Sequence, residues 1–204
     1  MAETGLNELP REMRQLHTRG TEALQRENFD YAITLFTQVL QKCPTCHECR
    51  ANLRAAQQGK SSAGKSGFFR KMISGASASP LIAKGRIALN TDPLEALNIA
   101  EQVLNTDPLS PLAHRLAADA AQVAGLPGTA TMSLEILHQN SPDDRTITVE
   151  FANALKNSGD VKRGEQLLIK LCRANPHDPE LAKELKNMSA LKTLGEGGYE
   201  MLGE

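Results

Sequence analysis

Two stretches of this chain bring together residue types that do chemistry. Cys43-Pro-Thr-Cys46-His47-Glu48-Cys49 puts three thiols and an imidazole within seven residues. Four soft donors make a zinc ligand set in kind (Cys43, Cys46, His47 and Cys49), although ligands this close ordinarily need a second pair elsewhere, and only Cys172 remains. Two thiols at a helix start could instead form a redox pair, because a helix N-terminus favours thiolate. The C-x-x-C-H string also matches covalent haem attachment, a chemistry that needs export. The fourth reading is packing at a turn between two helical units, with Cys49 as a small apolar residue. It is the preferred one, so no metal or cofactor is expected.

The second stretch is Gly59-Lys-Ser-Ser-Ala-Gly64-Lys65-Ser66, which satisfies the phosphate-loop pattern G-x-x-x-x-G-K-[ST]. That pattern binds phosphate when a buried strand feeds a Gly-rich turn and a helix then begins with free N–H groups aimed at the anion. Here the preceding Cys49–Gln58 reads as a polar helix, and no strand ending in Asp follows to hold magnesium. A nucleotide site is therefore not expected. Just beyond, Phe68-Phe69-Arg70-Lys71-Met72-Ile73 reads as a short packed helix or as a basic, apolar contact patch for a partner or an anionic membrane surface.

Elsewhere the chemistry thins out. The five histidines, at 17, 47, 114, 138 and 177, are scattered, and no Ser, His and acid set sits on a turn-and-strand scaffold. Asp143 and Asp144 sit at a helix start, where they serve the dipole. The chain is expected not to be an enzyme. Its net charge of −1 and aromatic content of 3% give neither the field nor the stacking platforms that nucleic acid needs. The first fifteen residues carry Glu3, Glu8, Arg11, Glu12 and Arg14 without an apolar run, unlike a secretory signal. No stretch approaches the length of a membrane span. The expectation is a soluble, cytoplasmic protein with reduced cysteines.

The elements that must position these residues are helices, and they repeat. Pro108, Pro142 and Pro176 stand 34 residues apart, and Pro44 precedes Pro108 by 64. Between them, Phe151–Ala152, Leu155, Gly159, Gly164 and Leu168 correspond to Ala117–Ala118, Ala121, Gly125, Ala130 and Leu134 one period earlier. The first unit has Leu16, Gly20, Ala23, Ala32 and Phe36, and Ala96 and Ala100 precede Pro108 at the matching distances. Small residues at 20, 118 and 152 let two helices approach. Gly125 and Gly159 suit a turn that needs left-handed backbone. Phe36, Leu134 and Leu168, four residues after Ala32, Ala130 and Gly164, fill the groove to the next unit. Ser79-Pro80, Asp92-Pro93, Ser110-Pro111 and Ser141-Pro142 each put an acceptor before a Pro at the first helical position. These marks predict helices at about 10–27, 29–42, 45–58, 80–90, 93–105, 111–124, 127–139, 142–158, 161–174 and 178–193.

The pattern resembles the tetratricopeptide repeat, with its large residue, Leu-Gly, Tyr, Ala, Phe and Pro over 34 residues, across roughly 13–46 and 77–178. It departs from the family where the large aromatic position reads Leu16, His114 and Thr148, and where the Tyr position reads Ala23, Ala121 and Leu155. The resemblance implies an all-α, right-handed superhelical solenoid of antiparallel helix pairs. It divides the chain into an N-terminal tail (1–12), a first unit with a following helix (13–58), the Gly/Ser/Lys-rich interruption (59–79), further repeats (80–178), a capping helix (179–193) and a tail (194–204). Members of the family hold protein or peptide partners on the first helix of each pair. The residues implied here are His17, Thr21, Arg115, Asp119, Gln122, Asn153 and Lys156, with Phe68 and Phe69 as a second surface. The Lys and Asn clamp that some members close on a chaperone's C-terminal carboxylate is missing. His17 and Thr21 stand at its first pair, and Leu81 and Gly85 in the third unit. The function implied is a protein-interaction scaffold or adaptor, and the alternative is a metal- or redox-responsive switch on Cys43–Cys49.

Overall fold

A computed structural model describes residues 2–63 and 80–197. Its helices are α1 (Arg11–Gln25), α2 (Phe29–Lys42), α3 (His47–Ala63), α4 (80–88), α5 (Pro93–Leu104), α6 (Pro111–Ala124), α7 (Pro127–Asn140), α8 (Arg145–Asn157), α9 (Val161–Ala174) and α10 (Pro179–Gly197). A single-turn 3-10 helix at Leu6–Glu8 precedes them. Among the described residues there is no strand, only an isolated parallel bridge between Thr4 and Cys46. The expected all-α fold of helix pairs is what forms, and no described helix is long and apolar enough to cross a membrane.

The chain divides into two compact units, 1–133 and 134–204. In the first, α1 packs on α2, α2 on α3 and α5 on α6; in the second, α8 packs on α9 and α9 on α10. Short turns make each pair antiparallel, and the residues named from the repeat do the packing. A Cβ on Gly20 would lie 2.7 Å from the ring of Phe36, and one on Gly164 would lie 2.8 Å from the carbonyl oxygen of Ala152. Phe36, Leu134 and Leu168 are fully buried. In the second unit Met188 of α10 closes over Ala152 and Leu168.

The turn inside each pair is the same device three times. After α6, Leu126 N–H donates to Ala121 O and Gly125 N–H to Gln122 O; after α8, Asp160 N–H donates to Leu155 O and Gly159 N–H to Lys156 O. These double bonds need one residue with positive φ, which Gly125 (72°) and Gly159 (94°) supply without strain. After α1 the bonds recur as Asn28 N–H to Ala23 O and Glu27 N–H to Leu24 O. There the left-handed residue is Glu27, at φ 58°. A side chain in that conformation costs about 1–2 kcal/mol, part of which glycine gives back through its freer unfolded chain. Glu27→Gly is therefore expected to stabilise the first unit by about 1 kcal/mol, read as a rise in the urea midpoint with unchanged slope. A fall in midpoint would contradict the turn.

Helix starts follow the sequence only in part. Asp92 accepts from Glu95 N–H as expected, whereas Ser110 occupies its cap position without a side-chain bond. Ser141-Pro142 does not open a helix. The chain makes one more turn, and α8 starts after Asp144, whose carboxylate accepts from Ile147 N–H. An ionised acceptor a few residues further on outcompetes the Ser-Pro signal. The largest difference is α3, which runs on to Ala63 instead of stopping near 58.

Candidate functional site

The cysteine cluster folds as packing. Cys46 immediately precedes α3, and Cys49 lies in its first turn; both are fully buried, while Cys43 is half-buried and all are free thiols. Cys49 Sγ donates to the carbonyl of Phe36 at 3.6 Å, and the imidazole of His47 turns to Glu3. Among the described residues no three His, Cys, Asp or Glu side chains are placed to hold a metal ion. The redox reading required lowered thiol pKa values, and the opposite holds. Burial pushes Cys46 up, against a backbone hydrogen bond that pulls it down, and burial pushes Cys49 far above the ordinary thiol range. Desolvation outweighs the helix N-terminus because the first turn of α3 is sealed under α2. Cys49 is accordingly expected to resist alkylation in the folded protein and to react fully in strong guanidinium. Fast labelling of Cys49 under native conditions, read by peptide mass, would refute its burial.

The phosphate-loop pattern is dissolved by the same helix. Gly59–Ala63 is the last part of α3, so its N–H groups turn inward to the helix rather than toward an anion. Gly59 presses on the ring of Phe29, and Lys60 pairs with Asp30 of α2. Gly64, Lys65 and Ser66 lie outside the described residues, as do Phe68 and Phe69.

The residues implied for partner binding differ in placement. His17 is buried, with its ring centroid 5.5 Å from that of Phe36 and its Nε2 2.9 Å from Asn52 Nδ2. Burial draws its pKa below the usual histidine value, against the charge of Glu48. His17 thus ties α1 to α3. Thr21 donates its hydroxyl to His17 O at 3.1 Å. On α6, Arg115 and Asp119 are half-buried and Gln122 is exposed. In the second unit, Lys156 Nζ donates to Asn153 Oδ1 at 3.0 Å.

Two features escape sequence reading. The first is a buried ionic network in the first unit. Glu101 Oε1, on α5, accepts from Arg50 at 3.3 Å and from Arg54 at 2.9 Å, both on α3, and all three side chains are at most 7% exposed. Arg50 also donates to Pro44 O, and Arg54 donates to Gln57 Oε1. Gln57 Nε2 donates to Asn105 Oδ1 at 2.7 Å. Burial alone would raise the Glu101 carboxyl, but the charges of Arg54 and Arg50 win and hold it below the usual range. Arg50, Arg54 and Gln57 show the 3–4 spacing of one helix face, which on sequence alone reads as solvated. Nothing along the chain marks Glu101 as their partner.

The second feature is a clasp by the N-terminal segment, expected to be a tail. Thr4 N–H donates to Thr45 O at 3.1 Å, and the two threonine hydroxyls are 3.0 Å apart. Glu3 reaches the first turn of α7. Its Oε2 accepts from Gly128 N–H at 2.9 Å, and its Oε1 accepts from Thr129 N–H at 2.7 Å and from the Thr129 hydroxyl at 2.8 Å. His47 Nδ1 stands 3.6 Å away. A Cβ on Gly128 would lie 2.7 Å from Glu3 Oε2 and 3.1 Å from His47, so a side chain there would require the Glu3 carboxylate to shift.

No protein-family model matches the chain, and no curated protein matches it in sequence. Solved structures do. One described as the MamA RS-1 ArsTM double mutant is 14% identical, with 94% of this chain and 90% of that one covered at a TM-score of 0.52. Another is TTC0263, described as a thermophilic tetratricopeptide-repeat protein of Thermus thermophilus, at 16% identity, 87% and 99% coverage and a TM-score of 0.42. With helix pairs closed three times by one turn design, the fold is a tetratricopeptide-like helical repeat.

Proposed function

On this fold, we propose that the chain is a non-enzymatic scaffold or adaptor of the cytoplasm that holds a protein or peptide partner. The observation that supports the reading most is α6. Its inward face is mostly alanine, with Ala113, Ala117, Ala118, Ala120 and Ala121 buried beside His114 and Leu116. Its other face carries Arg115, Asp119 and Gln122 beside exposed Leu112 and Val123. Polar groups interspersed with exposed apolar side chains are what a peptide contact requires. Thr21 on α1, and Asn153 and Lys156 on α8, are the corresponding contacts of the other first helices, and Phe68 and Phe69 offer a second surface. No observation favours the metal- or redox-responsive alternative over packing at Cys43–Cys49.

The test is affinity capture with the full chain as bait, read by quantitative mass spectrometry, beside Leu112→Asp/Gln122→Arg and Cys43→Ala/Cys46→Ala/Cys49→Ala baits of matched melting behaviour. A scaffold working through α6 keeps its partners when the thiols go and loses at least ten-fold enrichment when the α6 surface is reversed. Equal capture by wild type and the α6 variant would sink the reading.

A further inference from the structure

We propose that the first unit binds one structural water molecule where α2, α3 and α5 meet, completing the buried cluster of Arg50, Arg54 and Glu101. The place is a cavity of about 20 Å³ whose walls include Thr37 of α2, Arg50 and Leu53 of α3, and Leu97, Asn98 and Glu101 of α5. A single buried water needs about 10–15 Å³ and two to four polar partners. The space therefore takes one molecule and has no room for a second.

The polar partners are on the cavity's own walls. The side chains of Arg50 and Glu101 are 3% and 7% exposed, yet each keeps a buried polar atom without a hydrogen bond, Nε of Arg50 and Oε2 of Glu101. Glu101 gives its other oxygen to both guanidinium groups. Thr37 Oγ1 is a third buried atom without a partner, and there it differs from other helical threonines of the chain. Thr18, Thr21, Thr34 and Thr131 each return the hydroxyl to the carbonyl four residues back, a common bond for threonine inside a helix. Thr37 does not.

One buried N–H, one carboxylate oxygen and one hydroxyl around a water-sized space define the ligand. Only a molecule that both donates and accepts satisfies all three. Water accepts from Arg50 Nε–H and donates to Glu101 Oε2, and the Thr37 hydroxyl takes the role that remains. A halide would meet the Glu101 carboxylate and a metal ion would meet guanidinium charge, so neither suits the set. The consequence is a joint of three helices. The ion cluster ties α3 to α5, and the water adds α2.

The experiment pairs a high-resolution crystal structure of the full chain, grown in sodium bromide, with oxygen-17 relaxation dispersion of solvent water in solution. The crystal is expected to show one water within hydrogen-bond distance of Glu101 Oε2 and Thr37 Oγ1. An anomalous bromide peak at that place would make the ligand a halide and overturn the proposal. So would side chains that close the cavity, with the Thr37 hydroxyl turned back to Ile33 O. In solution the dispersion amplitude of Thr37→Leu, which fills the space and removes the hydroxyl, should fall by one long-lived water relative to wild type. Equal amplitudes overturn the site. If Thr37→Leu does not fold, the wild-type crystal decides alone.

Discussion

Replacing Glu101 with alanine is expected to destabilise the first unit by about 3–5 kcal/mol, the cost of leaving buried guanidinium groups without their counter-charge. Arg54 and Arg50 share one carboxylate oxygen, at 2.9 and 3.3 Å, in a place bulk water does not reach. For a chain of this size the loss corresponds to a fall in melting temperature on the order of 10 °C. A second variant separates damage from net contribution. Arg50→Met/Arg54→Leu/Glu101→Leu removes the charges together and is expected to come within about 2 kcal/mol of wild type, because an apolar set forgoes the desolvation that the ion cluster must offset. If Glu101→Ala melts within a degree of wild type, the network contributes nothing of the kind described. The acid limb follows as well. Glu101 is held below the ordinary carboxylate range, so its contribution is present at neutral pH and disappears as pH falls through the folded value.

His114 gives the second large effect, through pH. The ring is fully buried in α6, with Nε2 2.9 Å from Pro108 O. Burial, reinforced by the positive charge of Arg54, lowers its pKa to about 4 from 6.5, although the Pro108 carbonyl and Glu101 act the other way. Between those values the unfolded chain takes up a proton that the folded chain refuses. Stability should therefore be unaffected by His114 above pH 6.5 and decline as pH drops toward 4, by roughly 3 kcal/mol in all. His17 and His138 are also lowered, chiefly by burial, and steepen the same limb. Urea denaturation at half-unit intervals from about pH 7.5 to about pH 4.5 measures it. His114→Gln should flatten most of the slope, and a variant slope equal to that of wild type would show that the proton is taken up elsewhere.

Legibility in the sequence tracked how local the physics is. The turns at Gly125 and Gly159 were readable because φ above zero selects glycine and the period of 34 repeats it. The close approaches at Gly20 and Ala152 were readable because a small residue recurs at the same place in the first helix of each pair. The end of α3 was not, since Gly59 and two serines look like a stop when the contact with Phe29 that rewards continuing the helix is invisible. His17 carried the pattern of a groove residue, yet it lies inside because Phe36 and Asn52 come from helices its own neighbours do not reveal. The Arg50–Arg54–Glu101 cluster and the reach of Glu3 to Gly128 were least legible. Each joins residues about 50 or 125 apart, and neither leaves a periodic trace.

The unbroken run of α3 through Ala63 makes that helix a phase-locked shaft. One added or deleted residue anywhere before Gly59 would turn everything after it by about 100°, bringing Lys60 or Gln58 against the Phe29 ring. An insertion scan down α3 should thus show no silent site until the shaft has passed that ring. Drift in length among related chains should accordingly be rare between His47 and Gly59.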